Sequence, residues 1–200
     1  MALTALTVYL LWAALALGLR SWLQWRRTGD TGFRGGGLRR GTVQWWARML
    51  FVVALITGAA GPIAALAGLG PIGFLDRLAV QISGTVLAAA GAAATLAAQA
   101  SMGSSWRIVV DDNERTGLVT GGAFAVVRNP IFTAMIVTAA GLAAMVPNVI
   151  SLVGLALTVT AIHVQVRAVE EPYLLRVHGD AYRGYAARVG RFLPGIGRLP

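Results

Sequence analysis

Two hundred residues, 56% of them hydrophobic and only 12% charged, with a mean hydropathy of +0.68, exclude an ordinary soluble domain and describe a polytopic membrane protein. The formal charge of +9 comes from 17 arginines, with no lysine, against eight acids. Because those arginines flank apolar runs, they point to membrane topology and anionic lipid headgroups, and no pattern of a nucleic-acid reader accompanies them.

Ala2 to Leu19 carries no charge and is interrupted only by Thr4, Thr7 and Gly18. At about 1.5 Å per residue it nearly crosses a hydrocarbon core of about 30 Å. Its arginines follow the apolar run instead of preceding it, which favours a span over a cleaved leader. Arg20 to Arg48 holds seven arginines and the run Gly35-Gly36-Gly37, the composition of a solvent loop, with Trp22, Trp25, Trp45 and Trp46 marking interfaces. Met49 to Leu69 is the second expected span, with a kink at Gly61-Pro62 where the proline removes a backbone bond. Gly70 to Arg77 is a turn. Leu78 to Ala100 is the third span, and its Gly84, Ala88, Gly91, Ala94 and Ala98 allow close helix approach. Ser101 to Asn129 forms a second polar loop, Ile131 to Val146 a fourth span, Pro147-Asn148 a turn, and Val149 to Val166 a fifth span.

The expected fold is therefore all-α: a membrane bundle of five transmembrane helices followed by cytosolic C-terminal helices. It divides into a three-span region over residues 1–100 and a second region over 101–200. Five spans put sixteen of the 17 arginines on one side and Arg77 on the other. By the positive-inside rule the rich side is cytoplasmic, the N-terminus lies outside, and the cell membrane is the expected location. The absence of cysteine removes disulfides, thiolate metal sites and cysteine nucleophiles, and no metal site is expected.

Chemistry gathers at the two ends of the last expected hairpin. Thr116 to Phe132 reads as a Gly-rich loop entering a buried helix, with Arg128 and Asn129 directly before Pro130. Proline suits the first helical turn and asparagine is a favoured N-cap. At the far end, Arg167, Glu170, Glu171, Leu174, Leu175 and His178 fall at helical spacings, but Pro172 interrupts them. The helix is expected to end or bend near Glu171, with Pro172 opening a new one. If the runs form a hairpin, the two clusters meet. The plainer alternative is a solvated i,i+3 or i,i+4 ion pair contributing about 0.2–0.5 kcal/mol.

Gly103-Ser104-Ser105-Trp106-Arg107, Leu118-Val119-Thr120-Gly121-Gly122-Ala123-Phe124, Arg128-Asn129-Pro130-Ile131-Phe132, Arg167 with Glu170-Glu171, and Gly179-Asp180-Ala181-Tyr182-Arg183-Gly184-Tyr185 follow one another in order. Together they resemble the isoprenylcysteine carboxyl methyltransferase family and the related membrane phospholipid methyltransferases, over roughly residues 101–194. The resemblance implies an integral-membrane methyltransferase using S-adenosylmethionine as methyl donor. It implies donor contacts at Asp111, Thr116, Gly117, Leu118, Val119, Phe124, Asn129, Pro130, Ile131, Phe132 and Glu170, and a substrate-contacting arginine at Arg167. Arg128 and Glu171 join Arg167 as expected catalytic residues. Many members read Arg-His-Pro-x-Tyr where this chain has Asn129 and Phe132, so an imidazole and a phenol are missing here.

The residue chemistry agrees with that implication. A helix start at Asn129-Pro130 offers amide donors and positive dipole to a carboxylate, Glu170 can pair with an ammonium, and Leu118, Val119 and Phe124 can enclose a nucleobase. A carboxylate acceptor would be positioned by Arg167, whereas an amine or thiol would lose its proton to Glu171 or His178. His163 reads as a histidine bonded inside the bundle; Tyr182 and Tyr185 fit a site lining or an interfacial anchor equally. The acceptor is expected to be a lipophilic small molecule or lipidated substrate reached from the membrane lipids, with no nucleic-acid partner. The competing classes are a non-catalytic lipid-binding or assembly protein, a phospholipid or thiol methyltransferase, and a sterol-type reductase, which lacks its dinucleotide fingerprint here.

Overall fold

The computed structural model describes residues 1–29, 40–102 and 117–199. Every regular element in those stretches is helical: α1 (Ala2–Ala13), α2 (Arg20–Thr28), α3 (Val43–Leu66), α4 (Leu78–Met102), α5 (Pro130–Met145), α6 (Val149–Val164) and α7 (Glu171–Arg188). A π-helical turn at Ala14–Leu19 joins α1 to α2, and another at Gln165–Glu170 joins α6 to α7. The first helix thus runs past the expected loop start at Arg20, because arginine, leucine and glutamine are good helix formers. It stops at Gly29, whose φ of 71° is the left-handed conformation of a helix cap. The next helix starts at Val43, where the Thr42 side chain accepts from the Trp45 amide at 3.3 Å. The expected solvent loop from 20 to 48 is therefore helical at both ends.

Four stretches are long and apolar enough to cross a membrane: Ala2–Arg26, Val43–Leu66, Leu78–Met102, and one inside Val149–Arg188. The expected fourth span, α5, is apolar but only 16 residues long, about 24 Å at 1.5 Å per residue. Leu10, Ile56, Ile82 and Val86 project outward, as a lipid-facing surface requires.

The small residues of α4 are used inside the molecule. Gly84, Ala88, Gly91, Thr95 and Ala98 are buried where α4 packs along α5. A Cβ on Gly91 would stand 2.6 Å from the Thr138 amide nitrogen and 2.9 Å from the Ala134 carbonyl, so no side chain fits without moving α5. Gly91→Ala is therefore expected to lower thermal stability in detergent by about 1–3 kcal/mol. Gly70→Ala, which meets nothing within 4 Å, should leave the melting temperature where it is.

On the other flank α3 packs on α6, with Gly61 and Gly154 at the closest approaches. Pro62 is accommodated inside α3. Asn148 ties these helices together, capping α6 through the Ser151 amide (2.9 Å) and donating to the Gly61 carbonyl (2.9 Å). The Ile72 amide donates to the Pro147 carbonyl at 2.7 Å, so the two expected turns meet at this end of the bundle. The polar ends meet at the other.

Candidate functional site

The site assembles where α5 begins. Asn129 occupies the N-cap position, but its side chain makes no cap; it donates to the Arg191 carbonyl at 3.0 Å instead. The first intrahelical bond of α5 runs from the Thr133 amide to the Asn129 carbonyl, which leaves the amides of Ile131 and Phe132 ahead of the ladder. A 3₁₀ turn at Gly122–Ala125 precedes this start, and the Tyr185 hydroxyl fixes it by donating to the Phe124 carbonyl at 2.6 Å.

Facing it is the π-helical turn. Sequence reading expects the helix to end or bend near Glu171, with Pro172 opening a new one; α7 does begin there with Pro172 in its first turn, but the chain stays helical from α6 through the wider π turn. The true bend lies at Gly179, with φ of 50° and ψ of −123°, a conformation that suits glycine.

The two expected clusters meet. Arg128 Nη2 lies 2.7 Å from Glu171 Oε1, with the Arg128 side chain almost wholly buried. Arg128 also donates through Nη1 to the Ala186 and Val189 carbonyls and through Nη2 to the Gly197 carbonyl, stapling the end of α7 to the start of α5. Arg191, which sequence reading missed, completes the node with a bidentate pair to Glu171 at 2.8 and 2.9 Å. That hydrogen-bonded carboxylate holds the Arg191 guanidinium above its ordinary pKa. The segment after α7 is pinned as well: Arg128 and Asn129 amides donate to the Gly190 and Arg191 carbonyls, and the Thr133 hydroxyl to that of Phe192. Glu171 and Arg128 act here as one structural ion cluster.

Beside this node opens a cavity of about 380 Å³, within the usual range of small-molecule sites. Its wall includes Gly117, Leu118, Val119, Phe124, Asn129, Pro130, Ile131, Phe132 and Glu170. These are nine of the eleven residues expected to contact the donor; the other two, Asp111 and Thr116, lie outside the described residues. Arg128 and Glu171 line it as well. Arg167 does not: it is exposed on the outer side of the π turn, while its neighbours Val166 and Val169 point inward. Tyr182 and Tyr185 are buried on the cavity wall, which decides between lining and interfacial anchoring. His163 bonds the Val159 carbonyl at 2.9 Å and rests against the Phe192 ring, a structural histidine as read.

Residues from the first three membrane-length stretches also line the cavity: Leu17, Gln44, Arg48, Phe51, Val52, Leu55, Gln99 and Met102. No periodicity announces them, because their helices are apolar on most sides. Four side-chain atoms of residues on this wall, Arg48 Nη2, Gln99 Oε1, Arg128 Nε and His178 Nε2, are buried without a hydrogen-bond partner among the described residues. The Gln99 amide group donates to the Ala16 carbonyl, which lies in the first π turn. Both π turns thus border the cavity, a frequent position for such distortions. Among the described residues no His, Asp or Glu cluster could hold a metal ion.

Among the described residues the arrangement offers one carboxylate without a guanidinium partner, two first-turn amides, an imidazole nitrogen and an apolar enclosure. Comparison with known proteins agrees with that chemistry. The family model described as phospholipid methyltransferase matches residues 79–181, from the start of α4 into α7. No curated protein and no solved structure matches. Since the match spans more than half of the 200 residues, the chain belongs to the phospholipid methyltransferase family and is an integral membrane member of it.

Proposed function

We propose that this protein transfers a methyl group from S-adenosylmethionine to a lipophilic acceptor that reaches the cavity from the bilayer. The observation carrying the reading is that nine residues expected to contact the donor, from three separate segments, line one cavity wall.

The residues fit the donor. Glu170 accepts only from Gln165, at 3.2 Å among the described residues, and keeps its second oxygen for an ammonium group. The amides of Ile131 and Phe132, with the dipole of α5 behind them, suit a carboxylate. Leu118, Val119 and Phe124 provide an apolar surface for adenine. When bound, S-adenosylmethionine supplies a methyl carbon already activated by its sulfonium. The protein then has to align the acceptor and exclude water. The new bond forms to the acceptor atom as the carbon–sulfur bond breaks, and the electron pair stays on sulfur. An amine or thiol acceptor must also lose a proton. Glu171 is poorly placed for this, since both its oxygens are held by arginines. His178 Nε2, on the cavity wall and without a partner among the described residues, is the better acceptor. The rest of the proposal follows the arginine distribution: five passes, with the cavity and C-terminus on the cytoplasmic side where the methyl donor is made.

Purified protein in detergent micelles and in lipid discs should bind S-adenosylmethionine saturably, and membranes given radiolabelled donor should pass label to lipid, protein or a volatile product. Failure to bind the donor in any of these conditions would return the protein to the class of non-catalytic lipid-binding factors.

A further inference from the structure

Of the four side-chain atoms on the cavity wall that are buried without a partner among the described residues, one has a fixed hydrogen-bonding sense that only a donor can satisfy. The nitrogens of Arg48 and Arg128 donate, and His178 Nε2 changes role with its tautomer. Gln99 Oε1 accepts. Its amide cannot turn over to change that, because Gln99 Nε2 donates to the Ala16 carbonyl at 2.9 Å and a flip would set two carbonyl oxygens against each other. Gln99 is only 4% exposed, so bulk water does not complete the oxygen. A buried acceptor in that state is costly, and a ligand carrying an N–H or O–H relieves the cost.

The place of Gln99 in the fold says which part of a ligand it meets. It lies in the last turn of α4, and that end of α4 packs against the 3₁₀ turn at Gly122–Ala125: a Cβ on Gly122 would stand 3.4 Å from the Ser101 side chain. The same turn carries Phe124, which shares the cavity wall with Gln99, Leu118 and Val119. The apolar surface suited to adenine and the unfinished carbonyl therefore adjoin. The ammonium of the methyl donor is another N–H group, but the Glu170 carboxylate is the stronger partner for a cation.

We infer that Gln99 reads the nucleobase of the methyl donor: its Oε1 accepts a hydrogen bond from the exocyclic amine of adenine while Phe124, Leu118 and Val119 cover the ring. This rests on the S-adenosylmethionine reading and adds the residue that sets base specificity. Hypoxanthine, which has a carbonyl in place of the amine, would meet Gln99 oxygen to oxygen. The bond to Ala16 keeps the amide from turning to suit it, so the deaminated base is refused.

The test measures binding to the full chain in uncharged detergent, with S-adenosylhomocysteine, S-inosylhomocysteine and the 2′-deoxyribose form of S-adenosylhomocysteine as probes. The wild type should bind the adenosyl compound about tenfold or more tighter than the inosyl one, the scale of one lost hydrogen bond and one buried acceptor left unpaired. Gln99→Met, of similar length but without the acceptor, should bring the two affinities together. Gln99→Glu, which keeps an acceptor oxygen, should keep the preference. Because both ligands are compared on the same protein, the ratio does not move with a general loss of folded material. A wild type that binds the two bases equally overturns the inference, and so does a Gln99→Met protein that retains the preference. A Gln99→Met protein that loses only its discrimination against the 2′-deoxy form also overturns it and gives the oxygen to the ribose. A wild type that binds none of the three probes defeats the methyltransferase reading itself, and the inference falls with it.

Discussion

Glu171→Ala is expected to cost about 3–5 kcal/mol of stability, the range for breaking a buried ion pair by removing one partner. Two guanidiniums would lose their shared anion: Arg128 at 2.7 Å, with a side chain only 1% exposed, and Arg191 at 2.8 Å. Arg128 would remain fixed to three carbonyls with no compensating charge, while Arg191, at 13% exposure, can turn partly to water. The lower half of the range is therefore the better expectation. Because the node joins the start of α5, the end of α7 and the segment after it, the change should be visible in two ways. The melting temperature in detergent should fall, and residues 189–199 should become sensitive to protease before the helices do. Asp180→Ala provides the contrast. Its partner Arg183 is at the same 2.7 Å, but the two side chains are 96% and 64% exposed, and solvent screening leaves such a pair nearly worthless. If Glu171→Ala melts and is digested like the wild type, the backbone bonds to Gly190 and Arg191 alone hold the tail, and the cluster has another purpose.

This node also marks the limit of what could be read in the sequence. The helices were legible because hydrophobic runs of membrane length leave little alternative, and because Pro130, Pro147 and Asn148 punctuate them with known helix-start chemistry. The meeting of Arg128 with Glu171 followed from chain direction: two consecutive helices joined by a short turn bring the start of one beside the end of the next. Arg191 was invisible, because it reaches Glu171 across 20 residues through a segment without periodic structure. Arg167 misled for the opposite reason. Its helical spacing to Glu170 and Glu171 assumed a 3.6-residue period, and the π turn changes which side chains share a face. The α3 and α4 contributions were hidden as well. A helix that is apolar nearly all round carries no stripe to show which side meets its neighbour, so Arg48 and Gln99 stood in the sequence as isolated polar residues.

Glu170→Ala should separate binding from folding where Glu171→Ala cannot. Adjacent in sequence, the two carboxylates have opposite surroundings: Glu171 is clamped by three guanidinium bonds, whereas Glu170 meets Gln165 at 3.2 Å and faces the cavity. Removing Glu170 strands no charge, so the ligand-free protein should melt close to the wild type. Its affinity for S-adenosylmethionine should nevertheless fall by about 1.5–3 kcal/mol, the value of a hydrogen bond to a charged group. That is a loss of about 10- to 150-fold. Thermal shift reads both quantities in one experiment. A ligand at 100 times its dissociation constant stabilises the native state by about 2.7 kcal/mol, and at ten times by about half that. At a fixed donor concentration the wild type should therefore gain melting temperature while Glu170→Ala gains little, from the same starting point. Glu170→Gln keeps the acceptor oxygen without the charge and should fall between them. Equal shifts for wild type and Glu170→Ala would mean that the donor's ammonium is held elsewhere, and the cavity's orientation for methyl transfer would have to be reversed or abandoned.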